Sequence, residues 1–136
     1  MRTYVFDSSA LLAMLEKTTG AIKVNELLKE AHRGQSRILM SSVNYGEVYG
    51  KILRAHGHIQ AERTIGAVRP LPIELHDATP QRAVQAQDLK TTYKLYYVDS
   101  FAAALAIENK ATLVTSDSDF RKLGHNFPIV WLKTSP

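Results

Sequence analysis

Short, continuously apolar segments alternate with helical segments along the whole chain, and this alternation restricts the possible folds more than any other feature. Unbroken apolar strands are typical of parallel sheets that are buried on both faces. When such strands alternate with helices, the helices cover those two faces. We therefore predict an α/β fold, a three-layer α/β/α single domain over residues 1–136 with a mostly parallel central sheet. The predicted strands are residues 2–6, 37–40, 73–75, 112–115 and 129–132.

The helical segments carry recognisable boundary signals. Ser41 and Ser42 are suitable N-caps for a helix that ends near residue 56, where Gly57 breaks it. Thr79 followed by Pro80 is a favourable cap and first-turn pair for a helix reaching about residue 95. Further helices are predicted over residues 8–16, 20–33, 59–68 and 98–109, with a helical turn at 120–123. The expected inner face of the second helix consists of Ile22, Leu27, Leu28 and Ala31.

Composition excludes several classes of protein. The chain has no cysteine, which rules out disulfides, thiolate metal sites and cysteine nucleophiles and fits a cytoplasmic location. No membrane association is predicted, because the longest wholly apolar run, residues 101–107, is far shorter than the roughly 20 residues that a bilayer requires. A signal peptide is not expected, because Asp7 interrupts the first apolar stretch. The histidines show no ligand spacing, and no G-x-S-x-G motif suggests a serine hydrolase.

Acidic residues fall where the predicted sheet would bind a ligand, outside the carboxyl ends of its strands. Asp7 directly follows the first strand, and Asp117 follows the fourth. Glu47 lies early in the helix after the second strand, and Asp99 lies in the first turn of an otherwise apolar helix. Taken singly, each has a structural explanation as a helix cap, a turn residue, a partner of the helix dipole or a solvated charge. Asp119, for example, could cap the turn at 120–123.

If these acids converge on one cleft, their mutual repulsion must be relieved. Two unit charges about 4 Å apart repel by about 4 kcal/mol at an effective dielectric constant of about 20. Such a group must take up protons or bind a cation. Oxygen-only ligands favour a hard divalent ion such as Mg²⁺ or Mn²⁺. An ion of this kind can generate a hydroxide nucleophile and offset charge on a phosphoryl group.

Basic residues are concentrated in the middle of the chain. Overall, 17 lysines and arginines against 13 acids give a net charge of +4, a mild attraction toward polyanions. Between residues 48 and 73, Glu62 is the one acid against four bases, Lys51, Arg54, Arg63 and Arg69. A solvated helical surface and a phosphate-binding surface both remain open interpretations of this segment.

Four segments, in this order along the chain, resemble the PIN-domain nucleases. They read DSSALLA, SSVNYGEV, YYVDSFAAALA and LVTSDSDF, and they extend from residue 7 to residue 120. The resemblance is strongest to the small bacterial and archaeal VapC-type toxins. It implies an Mg²⁺-dependent endoribonuclease, with Mn²⁺ as a second suitable ion, that hydrolyses RNA phosphodiester bonds by metal-activated water. It also implies a homodimer, and a small cognate antitoxin that holds the toxin inactive.

Carried over by position, the resemblance assigns roles to individual residues. The catalytic and metal-binding acids would be Asp7, Glu47, Asp99 and Asp117. Supporting positions match Ser9, Thr115 and Asp119. The basic segment would hold the RNA backbone through Lys51, Arg54, Arg63 and Arg69, contacts that position the strand without reading its sequence.

Other classes fit the residues less well. Phosphotransferases of the haloacid dehalogenase type need a second aspartate two residues after the first, where this chain has Ser9. Receiver domains need an acidic pair near the end of the first strand, and Asp7 has no acidic neighbour. An RNA- or protein-binding module without turnover remains the alternative of a different kind, although all four acids are present.

Overall fold

The computed structural model describes residues 1–135 and contains a five-stranded sheet in the order β3-β2-β1-β4-β5. All four strand pairs are parallel, so the predicted α/β class is confirmed and the sheet is wholly rather than mostly parallel. β1 and β4, which precede two of the predicted catalytic acids, are neighbours near the centre of the sheet. The strands are β1 (Arg2–Phe6), β2 (Ser36–Ser41), β3 (Glu74–His76), β4 (Thr112–Thr115) and β5 (Ile129–Trp131).

The helices begin and end near the predicted boundaries. They are α1 (Ser8–Leu15), α2 (Ala21–His32), α3 (Ser42–Val68), α4 (Pro80–Tyr93) and α5 (Tyr97–Glu108), with a 3₁₀ helix at Ser118–Leu123. As predicted, the side chain of Ser41 caps α3 and that of Thr79 caps α4. Gly57 breaks α3 with a φ of 84°, a left-handed conformation that glycine adopts without steric cost.

Helices cover both faces of the sheet, as the unbroken apolar strands predict. Tyr4 and Phe6 of β1 pack with Val24 of α2 on one face. Val5, between them in the sequence, packs with Ala103 of α5 on the opposite face. This alternation follows from the two-residue period of a strand, and it places α2 and α5 on opposite sides of β1.

One predicted core position is wrong. Ile22 is 72% exposed, and the buried residues of α2 are Val24, Leu27 and Leu28. These three follow the spacing of one helical face, whereas residues two apart, such as Ile22 and Val24, point in different directions. Ala31 is partly buried against the same core, as predicted.

Over residues 1–135, none of the helices combines the length and the apolar character that crossing a bilayer would require.

Candidate metal centre

A cavity of about 440 Å³ lies at the carboxyl ends of the central strands, and all four predicted catalytic acids line it. Asp7 reaches it from the junction of β1 and α1, and Asp117 from the residues that follow β4. Glu47 lines it from α3, and Asp99 from the first turn of α5. The four acids are far apart in the sequence, and the parallel topology brings them to one place.

Asp119 belongs to the tightest group of carboxylates among residues 1–135. One carboxylate oxygen from each of Asp99, Asp117 and Asp119 lies within 4.8 Å of the other two. Asp119 does not cap the 3₁₀ helix, which corrects that structural explanation. The Asp117 carboxylate is the cap, and it accepts a hydrogen bond of 2.9 Å from the backbone N–H of Asp119.

Asp7 is a buried carboxylate held by three hydrogen bonds. Its Oδ1 accepts from Ser9 Oγ at 2.7 Å and from the backbone N–H of Ala10 at 3.0 Å. Its Oδ2 accepts from Thr115 Oγ1 at 2.5 Å. Burial raises the pKa of Asp7 to about 6, although these hydrogen bonds favour the charged form and oppose that rise. Asp7 therefore caps α1, as one interpretation held, and also faces the cavity.

Ser9 and Thr115 join the end of β1 to the end of β4. Their hydroxyl oxygens lie 3.1 Å apart. Ser9 Oγ accepts from the backbone N–H of Ser116 at 3.0 Å, and Thr115 Oγ1 accepts from that of Asp117 at 2.9 Å. Each hydroxyl thus contacts both the Asp7 carboxylate and the backbone that carries Asp117. The structure places these two predicted supporting residues where they can fix the positions of both acids.

Asp99 has a pKa that is raised further than that of Asp7. It is 9% exposed, and its pKa is raised to about 7, with burial as the largest cause. The charges of the surrounding acids raise the pKa further, in the order Asp117, Asp7, Glu47 and Asp119. The other four acids are therefore close enough to act on Asp99, and a proton or a cation would relieve the repulsion.

Two further contacts fix α3 relative to the other walls of the cavity. Ser8 Oγ donates a hydrogen bond to Glu47 Oε1, which links α1 to α3. Asn44 is fully buried, and its Nδ2 donates to the backbone carbonyl of Val98 at 3.2 Å, next to Asp99. Sequence reasoning missed Asn44. Its position four residues before the buried Val48, on the apolar stripe of α3, was the signal that could have revealed it.

The predicted basic residues do not all lie at the cavity. Lys51 lines it, and Lys51 and Arg63 together line an adjoining cavity of about 530 Å³ between α1 and α3. Arg54 and Arg69 are exposed, and neither lines these two cavities. The four basic residues therefore do not all share one surface, although Lys51 and Arg63 lie on either side of the break at Gly57 and line the same cavity.

The donor set fits a divalent metal ion. The available ligands are carboxylate oxygens, which Mg²⁺ and Mn²⁺ prefer, and Mg²⁺–oxygen bonds of about 2.0–2.1 Å let one ion bridge oxygens a few ångströms apart. A cation would also offset the repulsion that raises the pKa values of Asp7 and Asp99. The residues that could hold it are Asp7, Glu47, Asp99, Asp117 and Asp119.

Comparison with solved structures gives toxin–antitoxin proteins that share this fold at low sequence identity. VapBC2 from Rickettsia felis, solved with a DNA fragment from the promoter, matches at a TM-score of 0.75 and 18% identity, covering 96% of this chain and 99% of that one. VapC20 from Mycobacterium tuberculosis is described as a sarcin–ricin loop cleaving toxin. It matches at a TM-score of 0.70 and 16% identity, covering 89% of this chain and 95% of that one. VapBC-1 from nontypeable Haemophilus influenzae matches at a TM-score of 0.70 and 18% identity, covering 95% of this chain and 97% of that one.

Sequence comparison identifies the family. A search of curated proteins gave no match. The model of the PIN domain family, however, matches residues 4–126, which include every acid of the cavity. The fold, the toxin-like neighbours and this match agree with the resemblance carried by the four motifs. The chain belongs to the PIN domain family.

Proposed function

We propose that the protein is a metal-dependent endoribonuclease, the toxin of a VapBC-type toxin–antitoxin pair. The observation that carries the proposal is the convergence of five carboxylates at the carboxyl ends of β1 and β4, with the pKa of Asp99 raised to about 7. Membership of the PIN domain family supports nuclease activity. The structural similarity to VapC20, described as cleaving the sarcin–ricin loop, supports RNA as the substrate.

In this proposal, Asp7, Glu47, Asp99 and Asp117 hold Mg²⁺ or Mn²⁺, and Asp119 completes the group. The ion, when bound, supplies an activated water and offsets charge on the phosphoryl group. Ser9 and Thr115 keep Asp7 oriented, so that the carboxylate needs little reorganisation when the site fills. Lys51, at the edge of the acidic cavity, attracts the polyanionic RNA backbone that five carboxylates alone would repel.

The proposed partners are a small antitoxin and a second copy of the chain. Several structures that share the fold are toxin–antitoxin complexes, including one from Klebsiella pneumoniae. In the proposal, the antitoxin covers the acidic cavity and holds the nuclease inactive. The homodimer rests on the family resemblance.

Metal dependence tests this function directly. We expect the protein to cleave single-stranded RNA in Mg²⁺ or Mn²⁺ and to lose that activity in EDTA. We also expect Mn²⁺ to raise the thermal midpoint, because an ion that binds only the folded state stabilises it by about 2.7 kcal/mol at 100 times its Kd. RNA binding that persists in EDTA, without cleavage in either metal and without a thermal shift, would instead identify a binding module.

Lys51 should matter more for RNA binding than the other basic residues of α3. Replacing Lys51 with Ala removes the basic side chain that lines the acidic cavity. We expect the KM for RNA to rise by roughly tenfold, since a hydrogen bond to a charged group contributes about 1.5–3 kcal/mol. The matched control is Arg69→Ala, because Arg69 is exposed and lies outside both cavities. Cleavage kinetics for the two variants test the assignment. Equal effects would show that the basic segment acts only through its net charge.

A further inference from the structure

Two adjacent tyrosines form part of the wall of the acidic cavity. Tyr96 and Tyr97 both line it, and they are 72% and 41% exposed. Tyr96 is the N-cap of α5, and Tyr97 is the first residue of the turn that carries Asp99. Both therefore line the cavity beside the proposed metal ligands. Exposed aromatic rings in this setting offer flat apolar surfaces at the edge of a strongly charged site.

The side chain of Tyr96 contributes little to the stability of α5. It is the N-cap residue of α5, where Ser, Thr, Asp or Asn would satisfy a free backbone N–H, and its side chain makes no capping hydrogen bond. Its backbone is nevertheless well fixed, because the carbonyl oxygen accepts from both the N–H and the Oγ of Ser100, each at 3.0 Å. A large exposed ring thus stands on a rigid support where a small polar residue would stabilise the helix better.

The ring of Tyr97 is held by a neighbouring aromatic side chain. It packs edge to face against Phe101, with ring centroids 5.0 Å apart and an interplanar angle of 73°. Phe101 is buried, so this contact anchors the Tyr97 ring to the core. An oriented ring loses little conformational entropy when a flat ligand stacks on it.

The opposite charges of the cavity indicate what the rings would contact. The acids provide a site for a metal-bound phosphate, and Lys51 on α3 provides a cation on a different wall from the tyrosines. A nucleotide has the matching composition, with an anionic phosphate next to a flat aromatic base. Single-stranded RNA exposes its bases for stacking on aromatic side chains, whereas a duplex does not.

We propose that Tyr96 and Tyr97 form a stacking surface for an unpaired base of single-stranded RNA beside the phosphate that is cleaved. The inference rests on the proposed function and deepens it, because it makes unpaired RNA the preferred substrate. Tyr96, the more exposed ring, carries most of the stacking, and the anchored Tyr97 supports it.

The test uses a short single-stranded oligoribonucleotide that contains 2-aminopurine, a base whose fluorescence falls when it stacks. Binding is measured in an Asp7→Asn background, so that the RNA is not consumed. We expect quenching on binding, and roughly 5- to 150-fold weaker binding after Tyr96→Ala, since one base–aromatic stack contributes about 1–3 kcal/mol. Tyr96→Phe should retain both properties. Tyr93→Ala is the matched control, because Tyr93 is an exposed tyrosine outside the cavity lining.

The outcomes separate this inference from the proposed function. Suppose that the wild type cleaves RNA, but that Tyr96→Ala binds RNA and quenches the 2-aminopurine fluorescence as strongly as the Asp7→Asn parent. The proposed stacking surface is then wrong, and the proposed nuclease function is retained. If Tyr96→Ala weakens RNA binding while the wild type does not cleave RNA in Mn²⁺, the proposed stacking surface is retained and the proposed nuclease function is wrong. Failure to bind RNA in any form overturns both. Equal loss in Tyr93→Ala would also overturn the stacking surface, because the effect would not be local.

Discussion

Replacing Asp99 with Asn should reduce metal-dependent RNA cleavage by about 1,000-fold or more. The variant keeps the shape of the side chain but removes the charge on which the other four acids act. A bound metal contributes several kcal/mol to stabilising phosphoryl-transfer transition states, and each 1.4 kcal/mol or so corresponds to a tenfold change in rate. Cleavage of a labelled RNA at saturating Mn²⁺ would measure the loss. Asp7→Asn should behave similarly.

The matched control for this prediction is Asp88→Asn. Asp88 is an exposed acid on α4, and it is absent from both the cavity lining and the carboxylate group. Its replacement should leave cleavage unchanged. Activity of Asp99→Asn within a few-fold of the wild type would remove Asp99 from the catalytic group, and with it the main support for a metal centre in this cavity.

The same substitution should stabilise the protein at high pH when no metal is present. The pKa of Asp99 in the folded protein, about 7, lies above its ordinary value of 3.8, so the folded state retains a proton that the unfolded state has already lost. Stability therefore falls as the pH rises from about 4 to about 7. Above that range the ionised carboxylate costs the fold roughly 2–4 kcal/mol. Asn cannot ionise, so the variant avoids this cost.

Urea unfolding in EDTA at acidic and alkaline pH would measure the difference. We expect Asp99→Asn and the wild type to have similar free energies of unfolding near pH 4, and the variant to be more stable at pH 8. Added Mn²⁺ should narrow the gap, because only the wild type keeps the full ligand set. A variant that is less stable than the wild type at pH 8 in EDTA would show that Asp99 is not under electrostatic stress.

Much of the fold could be predicted because local signals and tertiary packing agree. The bounds of β1 and β4 match the prediction, since each strand has an apolar centre and is followed directly by a polar residue, Asp7 or Ser116. Two helix caps and one helix break were also predictable, because each depends on the preferences of a single residue type. They are the caps at Ser41 and Thr79 and the break at Gly57. Ile22 was misplaced because several helical faces of α2 carry apolar residues, and only packing selects between them.

The candidate site was predictable in its acids and less so in its surroundings. Acids at strand ends converge in any parallel sheet, so the positions of Asp7 and Asp117 followed from topology. The tight grouping of Asp119 with Asp99 depends on the path of the 3₁₀ helix, which local sequence does not determine. Arg69 was predicted to bind RNA together with Lys51 because the two lie in the same basic segment of the sequence. Of these two residues, Lys51 lines the acidic cavity and Arg69 does not.

The hydrogen bond between Asp7 and Thr115, 108 positions apart, has a consequence for the synthesis of the protein. A nascent chain that ends before β4 contains Asp7, Glu47 and Asp99, but it lacks Thr115 to orient Asp7 and lacks Asp117 and Asp119. The strand order also leaves β1 without one of its two neighbours until β4 emerges. In the proposed function, the nuclease would thus stay inactive until β4 has been synthesised and has paired with β1.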